Sequence, residues 1–364
     1  MSHCLADAGA EVEYLGPAKR PFTPMNFARY LVSSRVFKKN DHPQRDPRFL
    51  RLVARQFESK LKHSDSAAVL GHGVIGQAHL NAGRPMAVWT DATFANILDY
   101  YPAFKNMSSR SIRDGHASEK DLLDRCDLVM FSCQWAIDSA IKDYGCDPKK
   151  LRLLPFGANV PDTRTAEDIE RLTASKSVSP VKLLLLGVHW SRKGADTAVE
   201  VAKELHRRSV PVELSIAGCF PDPGTSLPEY VKILGFISKA TPEGVSRIER
   251  LFEESHFFIV PSRADCTPIV FCEAASFGLP VLTRNTGGIS SVITPGVNGF
   301  MFDTDAPAAA YADAIQRTLD TPGEYRRLAL ASFNEYKTRF NWGVAGRNLR
   351  RMMEEMVAAK GGRV

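Results

Sequence analysis

Residues 257–283 read FFIVPSRADCTPIVFCEAASFGLPVLT, and this stretch decides the fold. The apolar run FFIVPS (257–262) predicts a buried parallel strand. Thr267 stands where an N-cap is expected and Pro268 at the first helical position, so a helix is predicted to start there. Gly278 and Pro280 predict its end. A helix that opens at the carboxyl end of a buried strand lies where α/β sheets hold their ligands. Its first N–H groups and positive dipole end suit an anion such as a phosphate. Asp265 precedes the predicted start and Glu273 lies about one and a half turns inside it. Two carboxylates would repel a phosphate, but they accept hydrogen bonds from hydroxyls. The expected ligand therefore carries both phosphate and sugar.

That layout resembles the acidic-X7-acidic motif of retaining glycosyltransferases of family four, which have the GT-B fold. The resemblance implies that Glu273 binds the donor ribose and that Asp265 lies against the transferred sugar. It also implies that the backbone of the loop through Thr267, Pro268, Ile269 and Val270 holds the distal phosphate. The family usually has Glu as its first acid, and Asp265 is one methylene shorter.

A second segment, LLLLGVHWSRKGADTAVEVAKEL (183–205), reads as an apolar strand, a loop with two adjacent cations, and a helix. Ala198, Val201, Ala202 and Leu205 fall on one face of that helix. A basic loop at the end of a buried strand is another anion site. It resembles the family's diphosphate loop, with Lys193-Gly194 matching its Lys-Gly pair and Gly187 ending the strand. The Arg that usually follows that glycine is absent, because Val188 stands there; Arg192 is the candidate replacement. Breaking a sugar–diphosphate bond leaves a dianion, which fixed cations stabilise as the charge develops. The bland alternative is a solvated loop.

Composition bounds the rest. A chain of 364 residues suggests two domains. Hydrophobic content of 44% and charged content of 24% are those of a soluble globular protein. No apolar run approaches a membrane span, and MSHCLADAGA has no signal-peptide layout, so a cytoplasmic protein is expected. The seven cysteines are odd in number and form no C-x-x-C pair, so they read as reduced, mostly buried thiols. No Cys/His pattern suggests a metal, and no aromatic-basic interleaving suggests nucleic acid.

The net charge of +6 is unevenly spread: residues 17–62 carry twelve Lys/Arg against three acids. Leu50, Val53, Phe57 and Leu61 recur there at helical spacing, with Arg48, Arg51 and Arg55 on another face. The favoured reading is a solvated helix face packed by its apolar stripe. The alternative is peripheral contact with an anionic membrane, on the inner face of the membrane in a cell.

Along the chain, EVEYLG (11–16), AAVLG (67–71), MAVWTD (86–91) and DLVMFS (127–132) read as strands, with helices that include 118–124 and 134–144. The second half alternates strands near 182–187, 212–218, 231–236, 257–262, 280–284 and 299–302 with helices, which implies a parallel, doubly wound sheet. The resemblance implies two Rossmann-like domains facing across a cleft. These are residues 1–160, a linker at 161–180 with a short helix near 166–174, and residues 181–340. A C-terminal helix in 341–364 is expected to cross back to the first domain, and a Ser-capped helix to follow DLVMFS. ILGFI (233–237) fits the strand whose end meets the nucleotide base, through Phe236 or Ile237. The family's first strand and glycine-rich loop are missing, since SHCLADAGAEVEYLGP matches the following helix and second strand. A longer upstream reading frame, or a poorly active protein, is the expectation.

In the first domain the family often places a His after the strand matching MAVWTD; here Thr90 or Asp91 stands there. Asp91 is the candidate general base, and the alternative is that Asp91 or Thr93 caps the next helix. His72 is another candidate cleft residue. GHGVIG (71–76), with Asp91 twenty residues on, matches a dinucleotide fingerprint in outline, so an NAD-dependent oxidoreductase is the runner-up. A non-catalytic sugar-nucleotide binder or transferase subunit is a further alternative. The leading expectation is a retaining, metal-independent glycosyltransferase. It would use a UDP- or GDP-sugar, need no cofactor, and act on a glycan, lipid-linked or small-molecule acceptor.

Overall fold

The computed structural model describes residues 2–21, 24–177 and 179–361. The chain divides into two α/β units, residues 1–155 with 345–364, and residues 156–344.

The first unit is built on four parallel strands, β1 (Val69–Gly71), β2 (Met86–Thr90), β3 (Leu128–Phe131) and β4 (Leu151–Leu153), in that spatial order. Every residue of β2 and β3 is buried, as expected for apolar runs covered on both faces. Trp89 on β2 is fully buried and satisfies its indole by donating to the Leu154 carbonyl at 2.8 Å. The helix Pro47–Leu61 starts at Asp46, whose side chain accepts from the Arg48 N–H. It buries Leu50, Val53 and Leu61 and leaves Arg48, Arg51 and Arg55 exposed, as the periodicity requires.

Three expectations in this unit are corrected. EVEYLG alternates like a strand, yet residues 11–16 join no ladder. A strand needs a neighbour's N–H and C=O groups, and this segment is held by side chains instead. Ser64 Oγ donates to Glu13 at 2.5 Å and Lys60 Nζ donates to the Leu15 carbonyl. Second, GHGVIG leads from β1 into turns, and the next helix along the chain, Phe94–Ile97, comes only after β2. The strand–turn–helix context of a dinucleotide fingerprint is therefore absent. Third, the helix Gln134–Tyr144 has Cys133 at its N-cap with no side-chain bond, not a serine cap. Of the two capping candidates, Asp91 and Thr93, it is Thr93 that caps Phe94–Ile97, through a capping box with Asn96.

The second unit carries six parallel strands: β5 (Val181–Leu186), β6 (Val212–Ala217), β7 (Val231–Gly235), β8 (Phe257–Val260), β9 (Val281–Arg284) and β10 (Gly299–Phe302). Their order is β10-β9-β8-β5-β6-β7, with Leu183 opposite Phe257 where β5 pairs β8. The chain winds outward from β5 in one direction and from β8 in the other. The β5/β8 boundary is thus the topological switch point, where the loops part and a crevice opens at the carboxyl ends of the strands. The helix Ala195–Arg207 buries Ala198, Val201, Ala202 and Leu205 against the sheet, the face its spacing predicts. The segment 161–180 includes the helix Ala166–Ser175, whose Ile169 is fully buried in this unit's core. All seven cysteines are buried. Among the described residues no helix is long and apolar enough to cross a membrane.

Candidate functional site

Both sequence segments singled out above end at the switch point. After β5 the chain passes Gly187, makes one helical turn (Trp190–Lys193), and enters the helix Ala195–Arg207 through Gly194. Gly194 has a left-handed backbone, φ 72°, and a Cβ there would stand 2.1 Å from the Pro261 carbonyl oxygen. Only glycine permits that approach, and it draws the loop after β5 onto the loop after β8. The Arg263 N–H then donates to the Arg192 carbonyl at 2.8 Å, and the Arg263 guanidinium pairs with Asp196 at 2.6 Å.

This pinning brings the predicted loop cations to the first predicted acid. Lys193 Nζ lies 2.5 Å from Asp265 Oδ2, and both residues are buried. Ser262 Oγ donates to the same carboxylate at 3.1 Å. Arg192 stands 3.8 Å from it and also donates to the Ala264 carbonyl at 3.0 Å. The Lys193 stem crosses Gly187 so closely that a Cβ on Gly187 would meet its Cγ at 2.7 Å.

Gly187 in turn lines a cavity of about 410 Å³ in this unit. Its walls are mostly apolar: Leu186 and Val188 from the first loop, Phe236, Ile237 and Ile248 on one side, Ile269 and Val270 on the other. The polar side chains on its lining are Asn159, Lys239 and Glu273. An apolar cleft with a few convergent polar groups is the usual form of a small-molecule site.

The helix Ile269–Ser276 carries Glu273 into that cavity. It starts one residue later than an N-cap at Thr267 would set it. Pro268 is the N-cap, in an extended conformation and with no side-chain bond. Helix geometry leaves the N–H groups of Ile269 and Val270 without partners inside the helix, and both residues line the cavity. Gly278, at φ 60°, ends the helix as predicted, with Leu279 N–H donating to the Ala274 carbonyl at 3.0 Å. Glu273 is almost fully buried, and Lys239 Nζ lies 2.6 Å from its Oε2. Burial pushes the Glu273 carboxyl above its usual range, while Lys239 and the Asn159 backbone N–H act to lower it.

Of the predicted donor residues, Gly187, Ile237, Ile269, Val270 and Glu273 line the cavity. Arg192, Lys193 and Asp265 form the adjoining ion cluster, and Thr267 and Pro268 lie on the loop between cluster and helix. Asp91 lies in the first unit, just beyond β2, with Cys133 Sγ donating to its carbonyl at 3.4 Å. His72 Nδ1 bonds the Trp89 carbonyl at 2.6 Å. Sequence reasoning missed Lys239. The available signal was its place four residues beyond β7, on the same rim of the sheet as the other two loops.

Residues 180–321 match the family described as Glycosyl transferases group 1. A D-inositol 3-phosphate glycosyltransferase of Corynebacterium kroppenstedtii is 22% identical over 256 residues, covering 66% of this chain and 55% of that protein. The chain spans about half the length of the curated relatives it matches. Sucrose-phosphate synthase from Thermosynechococcus elongatus shares the fold with a TM-score of 0.64 at 18% identity, covering 86% of this chain and 79% of that one. An Anabaena protein solved with UDP-glucose gives 0.60 at 17% identity, covering 84% and 82%. Two parallel-sheet α/β units with these neighbours define the GT-B class of glycosyltransferase fold. The match to the group 1 glycosyltransferases lies in the second unit, over residues 180–321.

Proposed function

We propose that this chain moves a sugar from a nucleotide-diphosphate sugar to an acceptor hydroxyl, with retention of anomeric configuration and without a metal ion. The observation that carries the reading is the cavity holding Glu273 beside the Lys193–Asp265 cluster at one switch point. The base packs on the apolar walls near Phe236 and Ile237, and the ribose hydroxyls donate to Glu273. The diphosphate lies toward Lys193, Arg192 and the first amides of the helix Ile269–Ser276. That one fold neighbour was solved with UDP-glucose supports a uridine or similar donor.

In the reaction the bond between the anomeric carbon and the diphosphate oxygen breaks, and a bond to the acceptor oxygen forms on the same face. The acceptor's proton passes to the leaving phosphate. Lys193, Arg192 and the helix amides stabilise the charge that develops on that phosphate, so fixed cations do the work a metal would otherwise do. Lys193 is held by Asp265 before the phosphate arrives, so the donor must share or displace that contact.

The deciding experiment is a thermal-shift screen of UDP, GDP and their sugars on the full chain, with Glu273→Ala and Lys193→Ala as controls. One nucleotide class should raise the melting temperature, and both substitutions should reduce that rise. No response to any nucleotide sinks the proposal. Binding without transfer to a broad acceptor panel would favour a non-catalytic sugar-nucleotide binder.

A further inference from the structure

Lys239 belongs to no motif that the sequence singled out, yet its ammonium closes on the buried Glu273 carboxylate that lines the cavity. The side chain of Glu273 is 3% exposed and that of Lys239 is 43% exposed, with 2.6 Å between Nζ and Oε2. We propose that Lys239 is a positioning residue, which keeps Glu273 ionised and its remaining lone pairs presented to the 2′,3′-diol of a ribonucleotide. This rests on the donor-site reading above.

Counting acceptors carries the argument. An ionised carboxylate has about four lone-pair sites. Lys239 takes one and the Asn159 backbone N–H takes another. Two remain, which matches the two adjacent hydroxyls of a ribose. A protonated Glu273 would have to donate through one oxygen, and the pair of acceptors for a diol would be lost. Burial drives the carboxyl toward that protonated form. The groups that act against it are Lys239, on the loop after β7, and the Asn159 N–H. The Cys272 thiol stands beside Glu273 on the same helix, and its own pKa is pushed up by burial. The cations Lys193 and Arg192 are engaged with Asp265 on the other loop. Lys239 is therefore the group whose removal should raise the Glu273 carboxyl further and favour its protonated form.

The position also predicts what the site refuses. A 2′-deoxyribonucleotide leaves one acceptor of a buried carboxylate unpaired, so it should bind more weakly than the ribonucleotide. A deficit of about tenfold corresponds to about 1.4 kcal/mol.

The test is calorimetric titration of UDP and GDP, and of their 2′-deoxy forms, into the full chain between pH 5.5 and 8. If neither nucleotide binds the unaltered protein, the donor-site reading itself fails, which is a different result from failure of the Lys239 proposal. Given binding, Lys239→Met should lose at least about tenfold in affinity at pH 7. That deficit should widen as pH falls and narrow by pH 8, and Lys239→Arg should recover most of it. In a Glu273→Gln background, Lys239→Met should add little further loss. Lys239→Met affinity equal to the unaltered protein across the pH range overturns the proposal. So does a loss that is independent of pH and unrelieved by Lys239→Arg, and so does additivity with Glu273→Gln. Matching melting temperatures of Lys239→Met and the unaltered chain exclude misfolding as the cause.

Discussion

Lys193 Nζ and Asp265 Oδ2 stand 2.5 Å apart at the meeting of the loops after β5 and β8. The pair has two consequences that mutation can separate. It stabilises the switch point, because each charge is buried and neutralised by the other. It also holds a cation next to the cavity through the contact of its stem with Gly187.

Lys193→Met should cost about 3 kcal/mol of stability, since it strips a buried carboxylate of its nearest partner. Arg192 and the Ser262 hydroxyl remain near Asp265 and limit the loss. The double variant Lys193→Met with Asp265→Asn should regain most of that stability in urea melts and still fail to respond to nucleotide. A double variant that responds normally would remove Lys193 from phosphate binding.

Phe236 lines the cavity and is 71% exposed, so its ring is open to a ligand. Phe236→Ala should leave the melting temperature nearly unchanged and weaken nucleotide binding by about 1 kcal/mol, the scale of a lost aromatic contact. Unchanged affinity in titration calorimetry would place the base elsewhere.

Gly194→Ala should destabilise the second unit by about 1–3 kcal/mol, the cost of a non-glycine residue in a left-handed conformation. The clash with the Pro261 carbonyl adds to this. The loss should be accompanied by a weaker nucleotide response, because the two loops are pinned at that point. Wild-type stability in chemical denaturation would contradict the close approach.

His256 is a pH-sensitive structural group. Its Nδ1 accepts from the Lys182 N–H at 3.0 Å and its Nε2–H donates to the Ser177 carbonyl at 2.8 Å, so the ring is held neutral. Burial, the largest cause, lowers its pKa to about 4. A histidine depressed below its unfolded value contributes stability that is complete above about pH 6.5 and is lost as pH falls toward 4. The loss should reach at most about 3 kcal/mol. His256→Gln should flatten that part of the stability–pH curve and lower stability at pH 7. A curve for His256→Gln parallel to the unaltered one would assign the acid sensitivity elsewhere.

Much of the second unit was legible because its signals are local. Each of β5 to β10 is an apolar run bounded by turn residues, and all six fall within about two residues of expectation. The Gly278 stop and the buried face of Ala195–Arg207 follow from caps and from 3.6-residue spacing. EVEYLG failed for the converse reason. Its alternation is local, but being a strand is a property of a pair, and no ladder partner stands beside it among the described residues. GHGVIG failed likewise: glycine spacing is visible in sequence, whereas the helix that gives it meaning is not formed. The Thr267 cap was displaced because Pro268 is extended and the turn closes one residue later.

The sequence by itself determined the strand and helix pattern of the second unit, the loop cations and the two acids, since these are written in consecutive residues. The tertiary structure alone decided which cation meets which acid. Lys193 pairs with Asp265 across 72 residues and Lys239 with Glu273 across 34. Those partnerships exist because a parallel sheet of order β10-β9-β8-β5-β6-β7 delivers the carboxyl ends of its strands to one rim. There burial and Coulomb attraction, rather than spacing along the chain, select the contacts.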